Sequence, residues 1–145
     1  MIESKSSLWV RGNNHYVGIS TNGFIKKNGC AVMGRGCAAE AVRLWSDAPR
    51  RLADYIKSFG NIPGWLPMTA EHSIIILPVK HNWWEPADLE LINASIVWLQ
   101  NEAISHPNLT YHVPRLGCGN GRLNWEKEVK PRMQTLPDNV VVHYV

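Results

Sequence analysis

The run Ser73-Ile-Ile-Ile-Leu-Pro-Val79 limits what this chain can become more than any other stretch of it. Continuous branched apolar residues suit a central parallel strand covered on both faces, whereas a strand with one wet face alternates apolar and polar positions. The run ends in Lys80-His-Asn-Trp-Trp84, and polar residues at the carboxyl end of such a strand stand where open α/β sheets bind ligands. Pro86 then opens a long helix with Asp88 in its first turn, and Leu89, Ile92, Ile96, Leu99 and Ala103 form one apolar stripe.

The same alternation runs through the rest of the chain. Leu8-Trp-Val10 reads as a short edge strand, Asn13-Asn14 as a turn, and Tyr16-Val-Gly-Ile-Ser20 as a strand. A helical pattern covers Cys37 to Trp45. A second helix opens at Pro49, capped by Ser46 or Asp47, with Leu52, Tyr55, Ile56 and Phe59 at helical spacing and Gly60 to stop it. Residues 61–70 read as a loop or short edge strand, and Thr110-Tyr-His-Val113 as a strand. Asn124 or a neighbour caps a turn, Pro131 starts a short helix, and Val140 to Val145 closes the sheet. These elements predict a three-layer α/β/α sandwich with a mixed, mostly parallel central sheet, formed by residues 1–145 as one domain.

Composition narrows the function. A formal charge of +3, with no basic run longer than two residues, gives nucleic-acid binding little support. Cys30, Cys37 and Cys118 lack the Cys-x-x-Cys spacing of zinc sites and the six histidines form no His-x-x-x-His pair, so reduced thiols and no structural metal are expected. No run near the amino terminus has the length of a signal peptide's apolar core, and no segment approaches membrane-spanning length. A soluble, cytoplasmic protein with no membrane partner is expected.

Two glycine-rich stretches carry the candidate chemistry. Pro114-Arg-Leu-Gly-Cys-Gly-Asn-Gly121 leads on to Trp125, and Gly117, Gly119 and Gly121 let a ligand approach main-chain N–H groups. Glycine clusters after strands are also plain turns. Val32-Met-Gly-Arg-Gly36 runs straight into a helix, where unpaired N–H groups and the positive end of the helix dipole suit a phosphate. Two such loops can clamp a diphosphate from both sides. Neither has the Gly-Lys-Ser/Thr of a P-loop or the third glycine of the dinucleotide motif. Thr21-Asn-Gly23, by its spacing alone, is a turn.

Taken in order, Thr21 to Gly23, Val32 to Gly36, Leu77 to Lys80, Pro86 to Ile92 and Pro114 to Gly121 with Trp125 make the chain resemble a macro domain, the ADP-ribose-binding module, nearly end to end. The branch it resembles holds terminal ADP-ribose glutamate hydrolases, DNA ADP-ribosyl glycohydrolase antitoxins and small phage or bacterial macro proteins. The resemblance implies the fold already derived. It also implies an ADP-ribose site formed by Ile19, Thr21, Asn22, Gly23, Met33, Gly34, Arg35, Gly36, Gly117, Cys118, Gly119, Asn120 and Gly121, with Asn22 on the distal ribose and the adenine near the end of the strand holding Gly18 and Ile19. By the same resemblance Lys80 acts at the anomeric carbon of the distal ribose, which needs an amine pKa lowered by burial or neighbouring positive charge.

Two positions depart from the pattern. Gly121, beside Asn120, stands where the glutamate hydrolases carry a catalytic aspartate, and Trp84 where relatives carry arginine. Trp83 and Trp84 read either as a clamp on a bound base or as packing of a loop onto the core. The implied function is hydrolysis of ADP-ribosyl linkages, with Lys80 and Asn22 catalytic, no cofactor, and ADP-ribose or an ADP-ribosylated acceptor as partner. Nucleic acid enters only as a modified substrate. The alternatives are phosphatase action on ADP-ribose 1″-phosphate and a non-catalytic reader or sponge of ADP-ribose-derived nucleotides.

Overall fold

The structure is a computed structural model describing residues 1–10 and 12–145. Six strands form one sheet: β1 (Ile2–Lys5), β2 (His15–Asn22), β3 (Gly64–Pro67), β4 (Ser73–Lys80), β5 (Thr110–Pro114) and β6 (Val140–Tyr144), in the order β1-β6-β5-β2-β4-β3. Every pairing is parallel except β3 with β4. The helices are α1 (Gly36–Leu44), α2 (Ala48–Phe59), α3 (Leu89–Ser105) and α4 (Lys130–Met133), the last preceded by a π-helical turn at Trp125–Val129.

The apolar run at 73–79 is buried on both faces. Ile75, Leu77 and Val79 join one core with Ile92, Ile96 and Leu99 of α3, while Ile74 and Ile76 join a second core with Ala38 and Ala41 of α1 and Leu52 of α2. Successive side chains of a strand point to opposite faces, so one continuous run feeds two helical layers. The strand is interior but not central, because the short strand β3, bounded by Pro63 and Pro67, lies outside it and blunts the sheet edge.

Several boundaries differ from expectation. The outer strand beside β6 is Ile2–Lys5, and Leu8 to Val10 form no strand. Trp9 donates from Nε1 to Glu40 at 3.1 Å and packs on Trp45 with ring centroids 6.1 Å apart, so this segment lies across α1. Helix α3 begins at Leu89, after Pro86, because the Asp88 side chain accepts the Glu90 N–H at 2.8 Å as its N-cap. Asp47 makes no cap bond. It pairs instead with Arg51 at 2.7 Å. Phe59, expected on the inner face of α2, is 65% exposed, and Ala48 and Ala53 are buried beside Leu52.

Candidate functional site

The parallel strands β1, β2, β4, β5 and β6 all end at one edge of the sheet, and a cleft of about 1380 Å³ opens along it. Thr21, Asn22, Met33, Gly34, Arg35, Gly36, Lys80, Gly117, Gly119, Asn120 and Gly121 all line this cleft. Ile19, Gly23 and Cys118 do not. Ile19 is fully buried in the core, and a Cβ on neighbouring Gly18 would meet Leu77 and Val113 at 3.0 and 3.1 Å, so no base can sit against either. Gly23 is pressed on Asn61, while its N–H is shared between the carbonyls of Lys80 and His81 at 3.2 and 3.1 Å. The Cys118 thiol turns to the Leu116 carbonyl at 3.4 Å, and burial pushes its pKa up to about 11.

On the first side of the cleft stands the start of α1. Arg35 occupies its N-cap position without a side-chain cap bond, and Gly36 takes φ +58°, a left-handed conformation that favours glycine. Leading N–H groups of the helix therefore face the cleft without a side-chain acceptor. The opposite side is the loop 114–124. Gly117 takes φ +72°, and a Cβ there would stand 2.8 Å from Ile92 Cδ1, so the turn is wedged against α3. Its carbonyl accepts from Leu123, and the Gly121 carbonyl accepts the Ala87 N–H at 3.0 Å. Gly34 and Gly119, by contrast, have no atom within 4 Å of a Cβ position. Across the gap, the Cβ position of Gly36 lies 3.7 Å from Asn120 Nδ2, so the two loops nearly touch.

Lys80 ends β4 between these loops. Its Nζ donates to the carbonyls of Asn120 at 3.0 Å and Trp83 at 3.3 Å, tying the glycine loop to the loop after β4. Burial first, and then the Arg122 and Arg35 charges, hold its pKa below the ordinary lysine value of 10.5. Arg122 reaches this place from a left-handed backbone, φ 66°, its N–H bonded to the Gly119 carbonyl at 3.1 Å. Asn22 is paired with Lys80 in the sheet register. Its Nδ2 donates to the Val32 carbonyl at 3.1 Å and its Oδ1 accepts the Phe24 N–H at 3.0 Å, which makes it a turn residue as the spacing suggested. The amide keeps a second N–H beyond those bonds. Beside it, the buried Thr21 hydroxyl has no hydrogen-bond partner among the described residues.

The charge balance of the cleft is one-sided. Among the described residues, Lys5, Lys26, Arg35, Lys80, Arg115 and Arg122 line it, against a single acidic side chain, Glu40, which is engaged with Trp9. A side chain at 121 would need the loop to shift, because a Cβ there would collide with the Gly117 carbonyl oxygen. Trp83 and Trp84 are about half exposed at the mouth, edge to face at 5.6 Å, with Phe24 against Trp84 at 5.1 Å.

The other end of the cleft lies at β1 and β6, where no motif pointed. Ser6, Ser7, Leu8, His143 and Tyr144 line it, and the Arg115 guanidinium lies 4.0 Å over the Tyr144 ring. These residues are brought together by the sheet order, which sequence spacing does not reveal. Cys37 also lines the cleft at Ser20, and burial pushes its thiol pKa up, against nucleophilic use. Among the described residues no cluster of His, Cys, Asp or Glu could hold a metal, and no helix is long and apolar enough to cross a membrane.

No family profile and no curated protein matches the sequence. Solved structures do. The macrodomain of Mycobacterium tuberculosis DarG is similar at 22% identity and a TM-score of 0.69, over 99% of this chain and 98% of that one. The macrodomain of Thermus aquaticus DarG is similar at 22% identity and a TM-score of 0.73, over 98% and 95%. Thermosipho africanus DarTG, solved in complex with ADP-ribose, is similar at 20% identity and a TM-score of 0.70, over 90% of this chain and 38% of that longer one. The chain has the macro domain fold.

Proposed function

We propose that this cleft binds ADP-ribose and that Lys80 releases it from an acceptor. The observation that carries the reading is the setting of Lys80. Its amine stands between two glycine-bearing loops, held by two backbone carbonyls, with a lowered pKa. A neutral amine has two N–H groups and one lone pair. With both N–H groups given to Trp83 and Asn120, the lone pair is left for an electrophile. The distal ribose lies against Asn22 and Lys80, its diphosphate between the N–H groups opening α1 and the 117–121 loop. The other cations that line the cleft, Lys5, Lys26, Arg35, Arg115 and Arg122, supply the attraction for the two phosphates. The adenine lies on Tyr144 near Ser6 and Leu8, at the end of the cleft formed by β1 and β6.

In the reaction the Lys80 lone pair forms a C–N bond to the anomeric carbon as the bond to the acceptor breaks, its electron pair leaving with the acceptor. The proton shed by the new ammonium goes to that acceptor. Water then replaces the amine at the same carbon, returning Lys80 and free ADP-ribose. Lys80→Ala should keep ADP-ribose affinity within about threefold and lose release by a factor on the order of 10³ or more. The wild-type rate should climb as pH rises and reach its plateau below the ordinary lysine range, because the reactive form is the unprotonated amine. Unchanged turnover in Lys80→Ala would rule this role out.

One observation favours the non-catalytic reading, a reader or sponge. Among the described residues the only acidic side chain lining the cleft is Glu40, already bonded to Trp9, so no other side-chain carboxylate stands by to activate water. Tight ADP-ribose binding with no release from carboxylate, nucleobase or phosphate acceptors would select it.

A further inference from the structure

Among the described residues, two besides glycines take a left-handed backbone, Asn14 at φ 68° and Arg122 at φ 66°. Asparagine visits that region readily, because its short side chain can bond the backbone locally, whereas a long side chain there is strained. Arg122 ends the tight turn of the glycine loop. Its N–H meets the Gly119 carbonyl at 3.1 Å, and the next residue, Leu123, donates to the Gly117 carbonyl at 3.0 Å. Glycine would close the same turn without strain, so the turn itself does not call for arginine.

Nor is the side chain used within the fold. The Arg122 guanidinium is exposed, lines the cleft, and makes no hydrogen bond or ion pair with a described residue. Its charge acts on Lys80 ahead of that of Arg35, and Lys80 Nζ is tied to the Asn120 carbonyl of the same turn. Three cations, Arg35, Lys80 and Arg122, are thus gathered without a carboxylate among them, an arrangement that costs energy until an anion joins it. Arg35 stands at the start of α1, on the diphosphate side. Arg122 stands on the opposite loop, beside the amine. The sole acidic side chain lining the cleft among the described residues, Glu40, is bonded to Trp9, so no carboxylic acid is placed to protonate a departing acceptor. Such a site favours a group that leaves with its own negative charge.

Resting on the ADP-ribose reading, which puts the anomeric carbon at Lys80, we propose that Arg122 is the acceptor-side contact and selects acceptors joined to the ribose through an oxyacid, a phosphate or a carboxylate. When the Lys80 lone pair displaces the acceptor, the electron pair of the broken C–O bond stays on the oxyacid oxygen, and the guanidinium donates N–H groups to that oxyanion. A guanidinium keeps its protons, so Arg122 stabilises the charge without protonating it. The strained backbone is the cost of bringing a cation to this point of a loop otherwise made for glycine.

The test titrates wild type, Arg122→Gly and Arg122→Lys with ADP-ribose and with ADP-ribose 1″-phosphate, and melts each protein. Wild type should bind the 1″-phosphate at least about tenfold tighter than ADP-ribose. Arg122→Gly should bring the two within about threefold while its ADP-ribose affinity stays within about threefold of wild type, and Arg122→Lys should recover part of the preference. The melting midpoint of Arg122→Gly should equal or exceed that of wild type, since the turn is relieved of strain. A preference that Arg122→Gly leaves unchanged, or a midpoint lowered by more than about 3 °C, which would make the side chain a support of the loop, would overturn the proposal. Phosphate release from ADP-ribose 1″-phosphate and ADP-ribose release from an ADP-ribosylated glutamyl peptide separate the two oxyacids: the substrate on which Arg122→Gly loses at least about tenfold in rate is the one the contact serves. Were neither nucleotide to bind wild type, the ADP-ribose reading would fall and this inference with it, whereas binding of both with no effect of Arg122 would remove this inference alone.

Discussion

A Cβ at Gly121 would collide with the Gly117 carbonyl oxygen and stand 2.8 Å from Ala87 Cβ, whereas one at Gly119 would touch nothing. Two glycines of the same loop therefore answer to different demands. Gly121→Asp, which restores the carboxylate of the glutamate hydrolases, should cost about 1–3 kcal/mol of stability in thermal unfolding and gain no activity, because the turn must open to admit it. Gly119→Ala should unfold within about 0.5 kcal/mol of wild type yet weaken nucleotide binding, since its methyl group enters the cleft. Equal destabilisation of the two variants would show that Gly119 also packs on the loop. Asn22 illustrates a residue whose two readings coexist: its side chain closes a turn through Val32 and Phe24, and one N–H remains for a ligand.

At the scale of elements, the hinge between β4 and α3 sets the site, because Lys80 ends the strand and Asp88 begins the helix that buttresses the glycine loop. Asp88 caps α3 through the Glu90 N–H and accepts from His81 at 2.7 Å. The His81 bond, then the backbone bonds of the cap, hold its carboxyl below the usual aspartate range. Asp88→Ala should lower stability by about 0.5–2 kcal/mol in denaturant unfolding. A carboxylate whose pKa is depressed by folding stabilises above its unfolded pKa, so the deficit should be full at neutral pH and shrink as pH falls through the lowered value. A deficit that grew in acid would contradict this assignment.

The strand at 73–80 was legible because its burial on two faces leaves a run of branched residues, and the stripe of α3 because one helix face meets one core. The start of α3 was displaced by three residues from Pro86, since proline fits a first turn but the capping bond of Asp88 decides where the helix begins. Strand β1, Ile-Glu-Ser-Lys, carries no strand pattern: it pairs on one side only and has three polar side chains among its four residues. Leu8 and Trp9 imitated a strand because they cover α1.

At the scale of the whole molecule, the cleft has one end that local sequence could show and one that it could not. Both glycine loops and Lys80 lie within single motifs, so the end at β2 and β4 was readable. The end at Ser6, Arg115, His143 and Tyr144 exists because β6 is inserted between β1 and β5, which joins residues more than 100 positions apart. The contact between buried His112 and His143, and the Arg115 guanidinium over Tyr144, arise from the pairing of β6 with β5. Among the described residues the cleft gathers six basic side chains against one acidic one in a chain whose formal charge is only +3, so its potential comes from placement more than from composition. The most direct test of the account is calorimetric titration of nucleotide-free protein with ADP-ribose, with ADP and AMP as controls. The account predicts a dissociation constant of about 1 μM or tighter for ADP-ribose, at least about tenfold tighter than for ADP, because the distal ribose adds contacts, Asn22 among them. Equal affinity for ADP and ADP-ribose, or no heat with either, would contradict it.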